Sequence, residues 1–189
     1  MERMKENKTK KEKFQRYKRG RIVLVDFTPS LGSELRGKHF AIVLTKKDTP
    51  NSSVLTVIPL SSKEKSYYLD VGNIVEKQIL PLLIKYLNDF AVTIQAIDEL
   101  NEEELNKQQD EILQVSKNLT EFRKICDMYI SKNKRSYAMV QNISTISKKR
   151  IQKTVNKYDP MKNLIADDLI LDLIDSKLIE LFINKIDKK

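Results

Sequence analysis

Residues 39–60 read HFAIVLTKKDTPNSSVLTVIPL and contain two runs rich in hydrophobic and β-branched residues, at 39–45 and 54–60. Between the runs lies Asp48-Thr49-Pro50-Asn51, a cluster of residue types that favour tight turns. Short apolar runs bounded by turn residues are typical of β-strands. The sequence therefore predicts two strands joined by a tight turn.

Three further strands are predicted on either side of this pair. The run R-I-V-L-V-D-F at 21–27 ends at turn residues 28–30, a short run at 66–71 ends at Gly72, and the run S-Y-A-M-V-Q-N-I-S-T-I spans 136–146. Five short strands with tight turns favour a small barrel or a strongly curled sheet.

Two long helices are predicted between the fourth and fifth strands. Their apolar residues are spaced alternately by three and four positions, which is the pattern of an amphipathic helix. The first set is Leu80, Leu83, Leu87, Phe90, Ile94 and Ile97, and the second is Ile112, Val115, Leu119, Phe122, Cys126 and Tyr129. Asn101 and Glu104 form a capping-box pattern in the short link, which predicts an antiparallel hairpin. A third amphipathic helix is predicted over 165–186, with Asp167 and Asp168 near its start.

The 189-residue chain is basic, with a formal net charge of +9, but its charge is unevenly distributed. Residues 1–21 hold ten basic and three acidic side chains, whereas residues 74–133 hold seven basic and eleven acidic ones. We therefore divide the chain into a basic, flexible arm at 1–19, a β-rich domain at 20–73 plus 134–189, and an inserted helical hairpin at 74–133. The arm is either a solvated segment or frayed helix, or an arm that tracks the phosphates of a polyanionic partner.

The sequence also predicts a cytoplasmic protein that does not enter a membrane. No window approaches the roughly 18 uncharged apolar residues of a membrane span. The basic N-terminal residues lack the apolar run of a signal peptide. The single cysteine, Cys126, cannot form an internal disulfide and is expected in the core rather than as a nucleophile.

Three segments, in order along the chain, resemble the motifs of one protein family. Residues 31–40, LGSELRGKHF, resemble a loop written G-S-E-x-x-G-x-R-P that precedes a hydrophobic strand. Residues 57–62, VIPLSS, resemble a strand end written V-x-P-[ILV]-[TS]-S. Residues 136–150 resemble a closing strand with the signature Q-x-[RS]-T-I-x-K-x-R, in which Asn142 replaces the glutamine. Together these motifs resemble the MazF/PemK toxins of type II toxin–antitoxin systems, over residues 20–73 and 134–186.

The resemblance implies an α+β fold, an SH3-like small β-barrel (MazF/PemK/CcdB-like) with the helical hairpin inserted and a C-terminal helix. It also implies a metal-independent endoribonuclease that cleaves single-stranded RNA, needs no cofactor, forms a homodimer and is held inactive by an antitoxin protein. Such cleavage proceeds by attack of the ribose 2′-OH and leaves a 2′,3′-cyclic phosphate and a 5′-OH.

The predicted catalytic residues are His39, Ser61 and Arg36. His39 stands where the family usually has arginine, and Ser61 where it has threonine. Imidazole exchanges protons near neutral pH more easily than guanidinium, so we assign His39 as general acid or base. Ser61 is predicted to hydrogen-bond a phosphate oxygen, and Arg36 and Lys38, in the same loop, to supply fixed positive charge. Alternatively, His39 is a loop or packing residue and Ser61 only caps a turn.

The predicted RNA contacts are Gly32, Ser33, Glu34, Lys38, Ser62 and Gln141, and no metal ligand is expected. Alternatively, Gly32 supplies a backbone shape while Ser33 and Glu34 brace the loop. Some family members use an acidic residue near the position of Gln141, whose amide cannot act as a base, so a second proton-transfer group is not identified. Tyr67 and Tyr68 could stack on bases, although strand alternation would turn one of them toward the core.

Three functions stay open from the sequence. The first is an active endoribonuclease, the second is a catalytically degenerate barrel that binds nucleic acid or protein, and the third is a toxin of this fold directed at a protein. The inserted hairpin is either a structural unit that buries its own apolar seam or a docking surface, for an antitoxin, for a second copy or over the RNA groove.

Overall fold

The computed structural model describes residues 12–32, 34–129 and 135–183. Within them the chain forms an antiparallel sheet, to which helices are added after the fourth strand and at the end. The strands are β1 (Ile22–Asp26), β2 (Lys38–Val43), β3 (Val54–Ser61), β4 (Leu69–Asp70), β5 (Tyr137–Ala138) and β6 (Ser144–Ser147). The α-helices are α1 (Glu76–Asp98), α2 (Glu102–Lys107), α3 (Gln109–Tyr129) and α4 (Asp168–Phe182).

Within the described residues the sheet is curled but not closed. Its strand order is β1-β2-β3-β5-β4, and β6 pairs with the first half of β3. After β6 the ladder is interrupted by a 3-10 turn at Lys148–Arg150, and the chain returns to β1 through one bridge between Ile151 and Val25. The predicted antiparallel sheet with helices is therefore confirmed, whereas a closed SH3-like barrel is not.

The fifth strand that the sequence predicts at 136–146 is wrong as a continuous element. It divides into β5 and β6, which pair with different parts of β3, at Leu60–Ser61 and at Val54–Val57. The residues between the two pairings fold into a 3-10 turn at Val140–Asn142. The fourth strand is also shorter than expected, because the N–H of Tyr68 donates to the Lys65 carbonyl at 3.0 Å and closes a turn before β4.

Both faces of the sheet are apolar, because neighbouring side chains on a strand point to opposite sides. On one face the strands form a core with α1, α3 and α4, through buried residues such as Ile79, Ile125 and Ile174. On the other face they form a second cluster, against which Tyr17 packs. Three neighbouring pairs divide in this way between the two clusters: Ile22 and Val23, Ile42 and Val43, and Ile58 and Val57.

Residues 12–19 of the expected flexible arm lie against the body, and residues 1–11 lie outside the described residues. The N–H of Phe14 donates to the Pro50 carbonyl at 2.8 Å, and the N–H of Tyr17 donates to the Asp48 carboxylate at 2.8 Å. The Lys148 ammonium lies 2.7 Å from the other Asp48 oxygen, and both side chains are almost completely buried. This buried ion pair holds the second half of the arm in place.

The helical hairpin forms as the sequence predicts, but α1 is rotated. Asn101 and Glu104 make the reciprocal hydrogen bonds of a capping box, which starts the additional short helix α2. On α1, the seam residues Leu80, Leu87 and Ile94 are 46%, 51% and 47% exposed. The predicted seam is therefore wrong at these three positions, because α1 packs on the sheet as well as on α3, whereas Leu83 and Phe90 face inward as predicted. The inward-facing stripe consists of Ile79, Leu83, Tyr86 and Phe90.

The hairpin is fixed to the segment before α4 by an aromatic cluster and a buried hydrogen bond. The rings of Tyr86, Phe90, Phe122 and Tyr158 contact one another, with centroids 5.2–6.0 Å apart. The Tyr129 hydroxyl donates to the buried Asp159 carboxylate at 2.8 Å, and burial raises the pKa of Tyr129. The predicted C-terminal helix is present as α4, and Asp167 caps its start by accepting the N–H of Ile170. No helix in the described ranges is long and apolar enough to cross a membrane.

Replacing Tyr129 with phenylalanine is expected to lower the free energy of unfolding by about 1–3 kcal/mol, because the buried Asp159 carboxylate loses a donor. Urea unfolding measures this change. The matched control is Tyr137→Phe, whose hydroxyl lies 3.3 Å from the exposed Glu64. That variant should change stability by about 0.5 kcal/mol or less. Equal losses in the two variants would show that the Tyr129–Asp159 bond does not fix the hairpin.

Candidate functional site

A cleft of about 470 Å³ opens where the start of β2, the end of β3 and the start of β5 meet. Its apolar lining consists of Leu24, Leu35, Phe40, Leu60, Val75 and Met139. Its cationic lining consists of Lys38, Lys63, Lys65 and Arg135, and its remaining polar or aromatic lining of His39, Ser61, Ser62, Tyr68 and Ser136. Apolar surface and positive charge therefore lie together in one concave site, as is common for ligand sites.

His39 lies on β2 opposite Val25, and its half-buried ring is held by two backbone carbonyls. The ring Nδ1 lies 3.2 Å from the Leu60 oxygen, and Nε2 lies 3.0 Å from the Arg36 oxygen. Only a protonated imidazole can donate to both carbonyls, whereas a neutral ring donates to one. His39 therefore lines the cleft with both ring nitrogens turned to the backbone.

Ser61 lies at the end of β3 and lines the same cleft as His39. Its hydroxyl accepts the N–H of Lys63 at 2.9 Å and lies 3.2 Å from the Lys63 carbonyl. These contacts close the turn that brings Lys63 and Lys65 to the cleft. The hydroxyl thus braces the turn while it faces the site, so the capping role that the sequence left open is present.

The other residues that the sequence singled out divide into two groups. Lys38 and Ser62 line the cleft with His39 and Ser61, whereas Arg36 contributes only its carbonyl contact to His39 and has an exposed side chain. Glu34 braces its loop, because its carboxylate accepts the N–H of Leu31 at 3.0 Å. Gly32, Glu34 and Gln141 are exposed and are not part of the lining, and Ser33 lies outside the described residues.

Three cationic residues of the cleft were missed from the sequence. Lys63 follows directly after Ser61-Ser62 and Lys65 lies two residues further on, so their charge beside the motif was a usable signal. Arg135 is distant in sequence and reaches the cleft only because β5 pairs with β3. Its guanidinium contacts the Asp70 carboxylate at 2.6–3.0 Å, and these hydrogen bonds lower the pKa of Asp70.

The β3–β4 turn adds an aromatic pair beside these cations. The rings of Tyr67 and Tyr68 meet edge to face, with centroids 4.8 Å apart. The Lys65 ammonium lies 5.4 Å from the centroid of each ring. Hydrogen bonding between Lys65 and Tyr67 raises the pKa of the ammonium and lowers the pKa of the phenol.

The sequence profile of a family described as "PemK-like, MazF-like toxin of type II toxin-antitoxin system" matches residues 18–118, more than half of the chain. The chain belongs to this toxin family. Membership implies a cognate antitoxin as partner, as the sequence predicted. The profile match covers β1 to β4 and continues into α3, but it ends before the closing motif at 136–150.

A solved structure similar to this MazF/PemK toxin is that of MazF (Form-I) from Deinococcus radiodurans. The two chains are 13% identical, and the superposition covers 87% of this chain and 94% of the other, with a TM-score of 0.44. No curated protein sequence matches the toxin.

Proposed function

We propose that this toxin is a metal-independent endoribonuclease that cleaves single-stranded RNA at the cleft containing His39 and Ser61. The observation that carries the proposal is the combination of an imidazole, hydroxyl groups and four cationic side chains with an apolar lining in one cleft. A nucleotide has the complementary chemistry, since it joins an aromatic base, whose faces are apolar, to an anionic phosphate. Phosphate contacts supply affinity, and unstacked bases can enter such a cleft only from single strands.

Cleavage through the 2′-OH needs a proton acceptor, charge stabilisation at the phosphorane and a proton donor for the departing 5′-oxygen. We assign one of the two proton transfers to His39, because its imidazole can act as an acid or a base and its ring lines the cleft. Its Nε2 contact with the Arg36 carbonyl lies on the exposed side and is the one that substrate would replace. Ser61 donates a hydrogen bond to a phosphate oxygen in this assignment.

The fixed positive charge is assigned to Lys38 and Lys63 rather than to the Arg36 side chain. Both lysines line the cleft, whereas the Arg36 side chain does not. Positive groups aimed at the phosphorane stabilise the charge that develops during attack. Arg36 retains a positioning role through its carbonyl, which holds the His39 ring.

Incubation of the purified toxin with a long single-stranded RNA in EDTA tests this function. We expect discrete fragments that carry 5′-OH and 2′,3′-cyclic phosphate ends. RNA binding without cleavage would instead support a degenerate binding protein. That second candidate is favoured by one observation, namely that the His39 nitrogens and the Ser61 hydroxyl all contact backbone groups.

We also propose that the toxin acts as a homodimer. Each chain has three parts, namely the basic arm, the β-rich domain and the inserted hairpin. Support for an interface with a second copy comes from apolar residues that are exposed on α1 and α4, including Leu80, Ile84, Leu169 and Leu173. Sedimentation should give twice the chain mass of 22.1 kDa. A single-chain mass at working concentration would contradict the dimer.

Replacing Asp70 with asparagine is expected to strengthen the binding of a single-stranded RNA oligomer. The asparagine oxygen can still accept the N–H of Gly72, which lies 2.8 Å from Asp70 Oδ1, but it no longer neutralises Arg135. The slope of log affinity against log salt should steepen by about 0.7, the value for one additional phosphate contact. Asp172→Asn on the exposed side of α4 is the control, and an unchanged slope in Asp70→Asn would exclude Arg135 from the RNA path.

A further inference from the structure

The turn between β3 and β4 holds two aromatic rings in a hydrogen-bonded backbone conformation. The backbone hydrogen bond from Tyr68 to Lys65, 3.0 Å long, closes the turn. Tyr67 supports Tyr68 edge to face, and the Lys65 ammonium is equally distant from both ring centroids. Backbone and side-chain contacts together therefore fix where the two rings lie.

The two rings are not equivalent with respect to the cleft. Tyr68 is half-buried and lines the cleft together with His39 and Ser61, whereas Tyr67 is 45% exposed and is not part of the lining. Leu60 and Met139 contribute apolar surface to the same cleft. The position beside Tyr68 thus combines an aromatic wall, apolar surface and an adjacent positive charge.

We propose that Tyr68, supported by Tyr67 and Lys65, forms a stacking subsite for an unpaired nucleobase adjacent to the phosphate held at His39 and Ser61. This inference rests on the proposed function, because it takes RNA as the substrate. Stacking on an aromatic side chain accepts any base, but the base must first leave its own stack. The subsite therefore selects single strands, while Lys65 attracts the backbone of the same nucleotide.

The test separates the contribution of the bases from that of the phosphates. Binding is measured for a nine-nucleotide 2′-O-methyl RNA, which cannot be cleaved because its 2′-oxygen is blocked, and for an abasic oligomer of the same length and charge. The wild-type toxin should bind the RNA oligomer more tightly. Tyr68→Leu should reduce affinity for the RNA oligomer about tenfold, the size of one stacked base, and leave the abasic oligomer unaffected.

Two variants act as controls. Tyr68→Phe keeps the ring and should bind like wild type, and Lys47→Ala removes an exposed lysine that is not part of the cleft lining. Equal weakening of both oligomers by Tyr68→Leu, or no weakening of either, would overturn the subsite. So would a wild-type toxin that binds the two oligomers equally. Cleavage is scored separately, so a toxin that cuts RNA without this dependence on bases keeps its function and loses the subsite.

A second measurement needs no variant and so does not depend on the folding of Tyr68→Leu. The same oligomer carrying 5-iodouridine is irradiated with the wild-type toxin, and the crosslinked peptide is identified by mass spectrometry. We expect the crosslink in the peptide that contains Tyr67 and Tyr68. Crosslinks confined to other peptides would overturn the proposal.

Discussion

Replacing His39 with alanine should lower the rate of RNA cleavage about 10²–10⁴-fold, the usual contribution of a positioned acid or base. His39 is the single histidine of the chain, and its ring lines the cleft beside Ser61. The rate is measured in single turnovers, so that binding and chemistry are separated. Affinity for a non-cleavable oligomer should change much less than the rate.

Two further variants sharpen this prediction. His39→Arg places at this position the residue that the family usually has, so it supplies charge without a readily exchanged proton. It should retain more activity than His39→Ala, because it still supplies positive charge at this position. Lys47→Ala serves as the remote control. A His39→Ala toxin that cuts at the wild-type rate would remove His39 from the mechanism.

Replacing Asp48 with alanine should lower the free energy of unfolding by about 3–5 kcal/mol, the usual loss when one partner of a buried ion pair is removed. Lys148 would then be buried without its counter-ion, since the two side chains are only 1–2% exposed. The same change removes the acceptor for the N–H of Tyr17, so residues 12–19 should also become more susceptible to protease.

The neighbouring pair of Lys149 and Glu12 provides a matched control, because these two side chains are 66% and 61% exposed. Glu12→Ala should cost no more than about 1 kcal/mol, as is typical of surface ion pairs. Asp48→Ala combined with Lys148→Met should recover part of the loss, because no charge then remains buried. Urea midpoints that fall equally in Asp48→Ala and Glu12→Ala would show that the buried pair does not anchor the arm.

Local patterns predicted the parts of this fold that local physics determines. The central strands and the Asn101–Glu104 capping box depend on alternation and on contacts within a few residues, and both are present. The division of residues 136–146 was not predictable in this way, because it depends on where each half pairs with β3. The rotation of α1 has the same origin, since two neighbours compete for its apolar face.

Local sequence patterns also predicted only part of the candidate site. His39 and Ser61 could be placed together because each belongs to a motif beside a strand, and the structure brings them to one cleft. Arg36 was predicted because it lies in the same loop as His39, and Lys63 was missed, but closeness in sequence does not fix where a side chain points. Arg135 gave no local signal, because only the pairing of β5 with β3 brings it to the cleft.

An NMR titration of the His39 imidazole with the 2′-O-methyl RNA oligomer tests most directly whether RNA occupies this cleft. The single histidine gives one set of imidazole signals, so the assignment needs no variant. We predict that these signals move and saturate as the oligomer binds, because a phosphate displaces the Arg36 carbonyl from the ring. RNA binding that leaves the His39 signals unchanged would place the nucleic acid elsewhere and contradict the proposed site.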